Sequence, residues 1–128
     1  MSDLRPRGIP ILVNGEERHL LFTLNIIDEI QDRYEKTLSE VLDDVTNEDV
    51  SGHMLRDVLV MLLNDEVARE KYRDPESAMK EITEQEAGWL IGLDNRFALV
   101  ASVLKAYGVS LPEPEDDDPN RESGQMSN

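Results

Sequence analysis

The hydrophobic and polar positions of the chain change rhythm once. From Ile9 to Phe22 they alternate, and from Thr23 onward they recur every third or fourth residue. Period two belongs to a strand, whose successive side chains point to opposite faces. Ile9, Ile11 and Val13 share one such face, and Arg18, Leu20 and Phe22 share that of a returning strand. Asn14-Gly15 lies between them and accepts the positive φ that a tight hairpin turn demands. Two registers fit. A two-residue turn pairs Ile11 with Arg18, whereas a four-residue loop from Asn14 to Glu17 pairs Ile11 with Leu20 and Ile9 with Phe22. The second matches more apolar side chains and is the expected one.

Helical spacing follows. Thr23 or Asn25 suits an N-cap, and Ile26, Ile27, Ile30 and Tyr34 fall on one helical face. Leu38, Val41, Leu42 and Val45 form a second, shorter stripe, and "DVTNEDVSG" reads as a polar connection. The most apolar segment is the third: Met54, Leu55, Val58, Leu59, Met61, Leu62 and Leu63 occupy more than one face, as expected of a central helix. Asp74-Pro75 has the form of an N-cap followed by Pro at the first helical position, predicting a short helix with Met79 and Ile82. Thr83-Glu84-Gln85-Glu86 fits a capping box, ahead of a helix with Ala87, Leu90 and Ile91 that Gly92 stops. Asp94 or Asn95 caps the last helix, whose inward stripe is predicted as Phe97, Val100, Leu104 and Tyr107, with Gly108 ending it.

The expected fold class is mainly α, a small bundle of about five helices with an N-terminal β-hairpin. It occupies residues 9–111 as one domain, large enough to fold without staples. Residues 1–8 read as a flexible lead. Residues 112–128, "PEPEDDDPNRESGQMSN", hold three prolines, six acids and one base, too polar to offset their ordering entropy, and read as a disordered acidic tail.

Charge narrows the set of partners. The chain has 28 acidic and 13 basic residues, a net of −15, of which the tail accounts for −5. Phosphate backbones bind by exchanging counterions for Lys and Arg, so nucleic acid and anionic membrane are disfavoured. The same charge favours solubility and suits a basic or aggregation-prone partner. With no Cys, disulfides and thiolate metal sites are excluded, and a reducing compartment is expected. No apolar run is long enough to span a bilayer, and "MSDLRPRGIP" has no signal-peptide h-region.

Chemistry-bearing motifs are sparse. His19 and His53 lie in different elements, without H-E-x-x-H or a His/Cys cluster, and read as a strand surface residue and a helix-start residue. Asp116, Asp118 and Asn120 alternate as in a calcium loop, but lack its Gly and its bidentate Glu. No P-loop, G-x-G-x-x-G or G-x-S-x-G is present, and no cofactor or enzymatic activity is expected. Trp89 sits at the edge of its helix's apolar face, with packing on the core rim the larger expectation and a partner anchor the sharper one. Met54, Met61 and Met79 occupy helical apolar positions, suited to a core or to an adaptable binding groove.

The element order carries a resemblance. A hairpin around "VNGEERHLLFT" leads straight into "LNIIDEIQDRYEKTLSEVL", then the apolar "LRDVLVMLLNDE", then "EITEQEAGWLIGLDNRFALVASVLKAYG". Over residues 9–108 this resembles the small tail assembly chaperones of long-tailed bacteriophages and prophages. The resemblance implies a non-catalytic factor that binds the long, helical tape measure protein, with other tail proteins as further partners. It would keep that client soluble in the host cytoplasm while the tail tube polymerises, and be absent from the finished virion. Self-association into a homo-oligomer is a further implication. The alternative is a structural tail or connector component, or a small acidic adaptor. The partner-binding candidates are Trp89, Met54, Met61, Leu12 and Leu21, the last two because a hairpin's outer edge keeps backbone groups free for another strand.

Overall fold

The computed structural model describes residues 8–49 and 53–111. They form two strands and five helices: β1 (Ile9–Val13), β2 (Glu16–Leu20), α1 (Leu24–Tyr34), α2 (Leu38–Asn47), α3 (Met54–Arg73), α4 (Glu84–Leu90) and α5 (Arg96–Ser110). The expected mainly α bundle with an N-terminal hairpin is what the chain adopts. The lead, the acidic tail and the Asp116–Asp118–Asn120 pattern lie outside the described residues.

The hairpin takes the other register. Asn14 (φ 53°) and Gly15 (φ 80°) form a two-residue turn, pairing Ile11 with Arg18 and Ile9 with Leu20. Two consecutive positive φ values give the turn whose twist matches that of the strands. The apolar matching that favoured the longer loop loses because Arg18 has a partner inside the fold. Its Nε donates to Glu66 Oε1 on α3 at 2.6 Å, and its Nη2 donates to the Leu63 carbonyl at 2.8 Å. A buried charge held in this way no longer opposes burial of its strand face. No atom lies within 4 Å of the place where a Cβ on Gly15 would stand. Gly15→Ala is therefore expected to act through the backbone alone and to cost about 1 kcal/mol. The check is the urea midpoint, and an unchanged midpoint refutes the turn geometry.

Three of the five helices start on side-chain caps, whereas Asn95 at the N-cap position of α5 makes no capping hydrogen bond. Thr23 Oγ1 accepts from the Ile26 amide, and Thr37/Glu40 and Thr83/Glu86 each form a reciprocal capping box. The start of α3 is different. His53 stands at its N-cap position without capping it, and the Glu48 carboxylate reaches across to accept from the Met54 and Leu55 amides. Arg96, buried at the start of α5, holds Glu48 in turn, with Nη2 3.4 Å from its Oε2 and donating to its carbonyl.

Two helical expectations are corrected. Residues 75–83 are not a helix. Pro75 sits in a turn closed by the Ser77 amide on the Asp74 carbonyl, while Asp74 Oδ1 accepts from the Glu76 amide. Ile82 is then held outside any helix by Asn64 on α3, whose side-chain amide donates to its carbonyl and accepts from its N–H. The second correction concerns α5. Phe97 is 81% exposed and Leu104 is also open, whereas Val103 and Ala106 are fully buried. The helix is turned so that Val100 and Tyr107 of the expected stripe still pack on the core beside Val103 and Ala106, while Phe97 and Leu104 are left out.

α3 is central, as its pattern predicted. It buries Leu55, Val58, Leu59, Leu62 and Leu63 and packs against α1, α2, α4 and β2. α5 closes the other side over the hairpin and α2, with Phe22 and Tyr107 meeting edge to face at 6.3 Å between centroids.

Candidate partner-binding surface

The most concentrated polar cluster ties the hairpin to α3. Besides Arg18, Glu66 accepts from the His19 amide at 3.1 Å, and its Oε2 lies 3.1 Å from His19 Nδ1. His19 Nε2 reaches Glu17 on the same strand. Every strong contact of Glu66 goes to the hairpin, so the cluster is a clamp that fixes β2 on α3. Next to it, Thr23 donates to Asp65, which also pairs with Arg69. Tyr34 shows the opposite condition: its hydroxyl is buried without a partner, and burial, reinforced by nearby Asp57, raises its pKa.

The binding candidates scatter. Met61 is buried in the core and Met54 is half-buried at its edge. Leu12 is 74% exposed on the outward face of β1, opposite Glu17, and Leu21 is half-buried just beyond β2. Each strand has only the other as a neighbour, so the sheet keeps two outer edges among the described residues. Trp89 is 75% exposed, more than a residue on the core rim would be, while Ala87 and Leu90 of the same helix turn toward the core. His53 is exposed at the start of α3, and Met79 is half-buried in the irregular segment before α4.

A coherent surface emerges instead on α5, where only Trp89 had been singled out nearby. At 100° per residue, Phe97, Ala101, Leu104 and Gly108 fall on one stripe, opposite buried Ala106. All four are solvent-facing. Leu93, in the turn before α5, and Val109 near its end are exposed as well. Beside this stripe a groove of about 310 Å³ runs between α5 and α2. α5 lines it with Leu104 and Tyr107, and α2 lines it with Leu42, Glu40 and Asp43. A signal for this surface existed in the sequence: residues 95–112 are the longest stretch without an acid in a chain holding 28.

A shallow polar depression lies where α1 meets α2, lined by Gln31, Glu35, Lys36, Thr37 and Glu40. Its groups are committed to one another: Glu40 caps α2, Gln31 accepts from the Leu38 amide, and Lys36 is held by Asp44, which raises its pKa. Among the described residues, no group of three His, Asp or Glu side chains is placed to hold a metal ion. No described helix is long and apolar enough to cross a membrane.

Comparison of the chain with protein-family models, curated proteins and solved structures finds no match.

Proposed function

We propose that this protein is a non-catalytic tail assembly chaperone that binds a phage tape measure protein and keeps it soluble during tail assembly. The observation that carries the reading is the open apolar face of α5 on a chain of net charge −15. A holder of a helical, aggregation-prone client needs apolar surface to grip it and charge to keep the pair dispersed. The element order supports the same reading, since the hairpin runs directly into helices as the family resemblance implies. The working place of such a factor is the host cytoplasm, and it leaves before the virion is complete.

The test is co-expression with the tape measure protein encoded in the same phage or prophage region. Wild-type chain should shift that client from the pellet to the supernatant and co-purify with it. A client equally soluble and unbound without the chain rules the reading out. Mass spectrometry of purified particles separates the alternative, because a structural tail or connector component remains in the virion.

A further inference from the structure

We infer that the groove between α2 and α5 is the docking site for an amphipathic partner helix that carries Lys or Arg along one flank of its apolar stripe. This rests on the chaperone reading for the helical nature of the partner, and on charge and geometry for the rest. The α5 stripe from Phe97 to Gly108 covers about three helical turns, roughly 16 Å, which matches apolar anchors spaced i, i+3/i+4 and i+7 on a partner. The two sides of the groove differ. Toward α2 it is bordered by Glu40 and Asp43, and Asp43 has no ion pair among the described residues. On the far flank of the stripe, nearly opposite Tyr107 around the helix, stands Lys105. A helix lying along Leu104 would therefore set its basic flank against α2 and a neutral or acidic flank against Lys105.

Charge also argues against a second copy of this chain as occupant. Two chains of −15 repel, and packing two such grooves face to face would bring four carboxylates to one interface. A basic-flanked helix removes that repulsion and covers the apolar stripe at the same time.

The experiment measures fluorescence anisotropy of labelled synthetic helices of about 18 residues on the full-length protein. One peptide places Lys beside a Leu/Ala stripe and the other places Glu there. The Lys-flanked peptide should bind wild type and the Glu-flanked one should not. Ala101→Glu adds a negative charge, so capture by net charge alone would strengthen binding. A helix docked along Leu104 also covers Ala101, its neighbour on the exposed stripe, and predicts instead a loss of about tenfold or more. Asp43→Lys, on the α2 side of the groove, should weaken the Lys-flanked peptide and improve the Glu-flanked one. Circular dichroism and the melting temperature verify that both variants are folded.

Binding by Ala101→Glu equal to or tighter than wild type overturns the proposal. So does sedimentation showing a wild-type dimer that Ala101→Glu dissociates, since the face then belongs to a second copy. The chaperone reading has its own outcome. If Ala101→Glu still solubilises the tape measure protein, the groove is refuted and the chaperone stands. If wild type fails to solubilise it while the Lys-flanked peptide binds as expected, the groove stands and the chaperone reading falls.

Discussion

Glu66→Ala should destabilise the protein by about 3–5 kcal/mol, the cost of leaving a buried charge without its counterion. The side chains of Arg18 and Glu66 are only 5% and 9% exposed, so water cannot replace the lost carboxylate. The truncation also removes the acceptor for the His19 amide and the contact to His19 Nδ1. Against a total stability of roughly 5–15 kcal/mol for a domain, this brings the variant close to unfolding. Replacing both partners should behave differently. Arg18→Met with Glu66→Leu keeps volume and leaves no orphaned charge, and it should unfold within about 1 kcal/mol of wild type or above it. Urea unfolding of Arg18→Met alone, Glu66→Leu alone and the double variant closes the cycle, with Glu66→Ala measured beside them. A Glu66→Ala midpoint near that of wild type means the clamp does not form in solution.

The second large effect separates the two faces of the hairpin. Leu20 is wholly buried between the hairpin and the helices, and Leu20→Ala should cost about 2–5 kcal/mol through lost burial and the cavity left behind. Leu12 is on the outward face of the neighbouring strand, and Leu12→Ala should stay within about 0.5 kcal/mol. Thermal or urea denaturation of the pair reads the face assignment directly. A one-residue slip would invert the order, because it sends every side chain of a strand to the other side.

The legible parts of the fold were those where pattern and local chemistry agreed. α2 has a clean apolar stripe behind Thr37, and α4 has a capping box at Thr83, so both were readable from neighbours in sequence. The hairpin turn was half readable. Asn14-Gly15 marked the place, but the choice of register depended on Glu66, a residue far along the chain that no local pattern couples to Arg18. Asp74-Pro75 misled for the same reason. The dipeptide serves a helix start or a turn equally well, and Asn64 takes up both backbone hydrogen-bonding groups of Ile82 outside a helix. α5 was opaque in another way. Phe97 and Leu104 are as apolar as Leu99, Val103 and Ala106, so periodicity finds a helix but not its inward side. The binding surface was hidden by that ambiguity, since Phe97 and Leu104 of the expected stripe are left in solvent while Val100 and Tyr107 pack on the core.

The packing of α5 on the hairpin has a consequence for how the protein is made. A two-stranded hairpin is marginal in water, and here part of its cover comes from the last helix of the domain. Phe22 emerges early from the ribosome, whereas Tyr107, which closes over its ring, is translated only after four other helices. The nascent chain thus carries a strand pair without its α5 cover through most of its synthesis. Folding finishes as a late, long-range closure rather than by growth from the N-terminus, and ribosome-bound chains stalled before residue 96 should remain sensitive to protease at the hairpin.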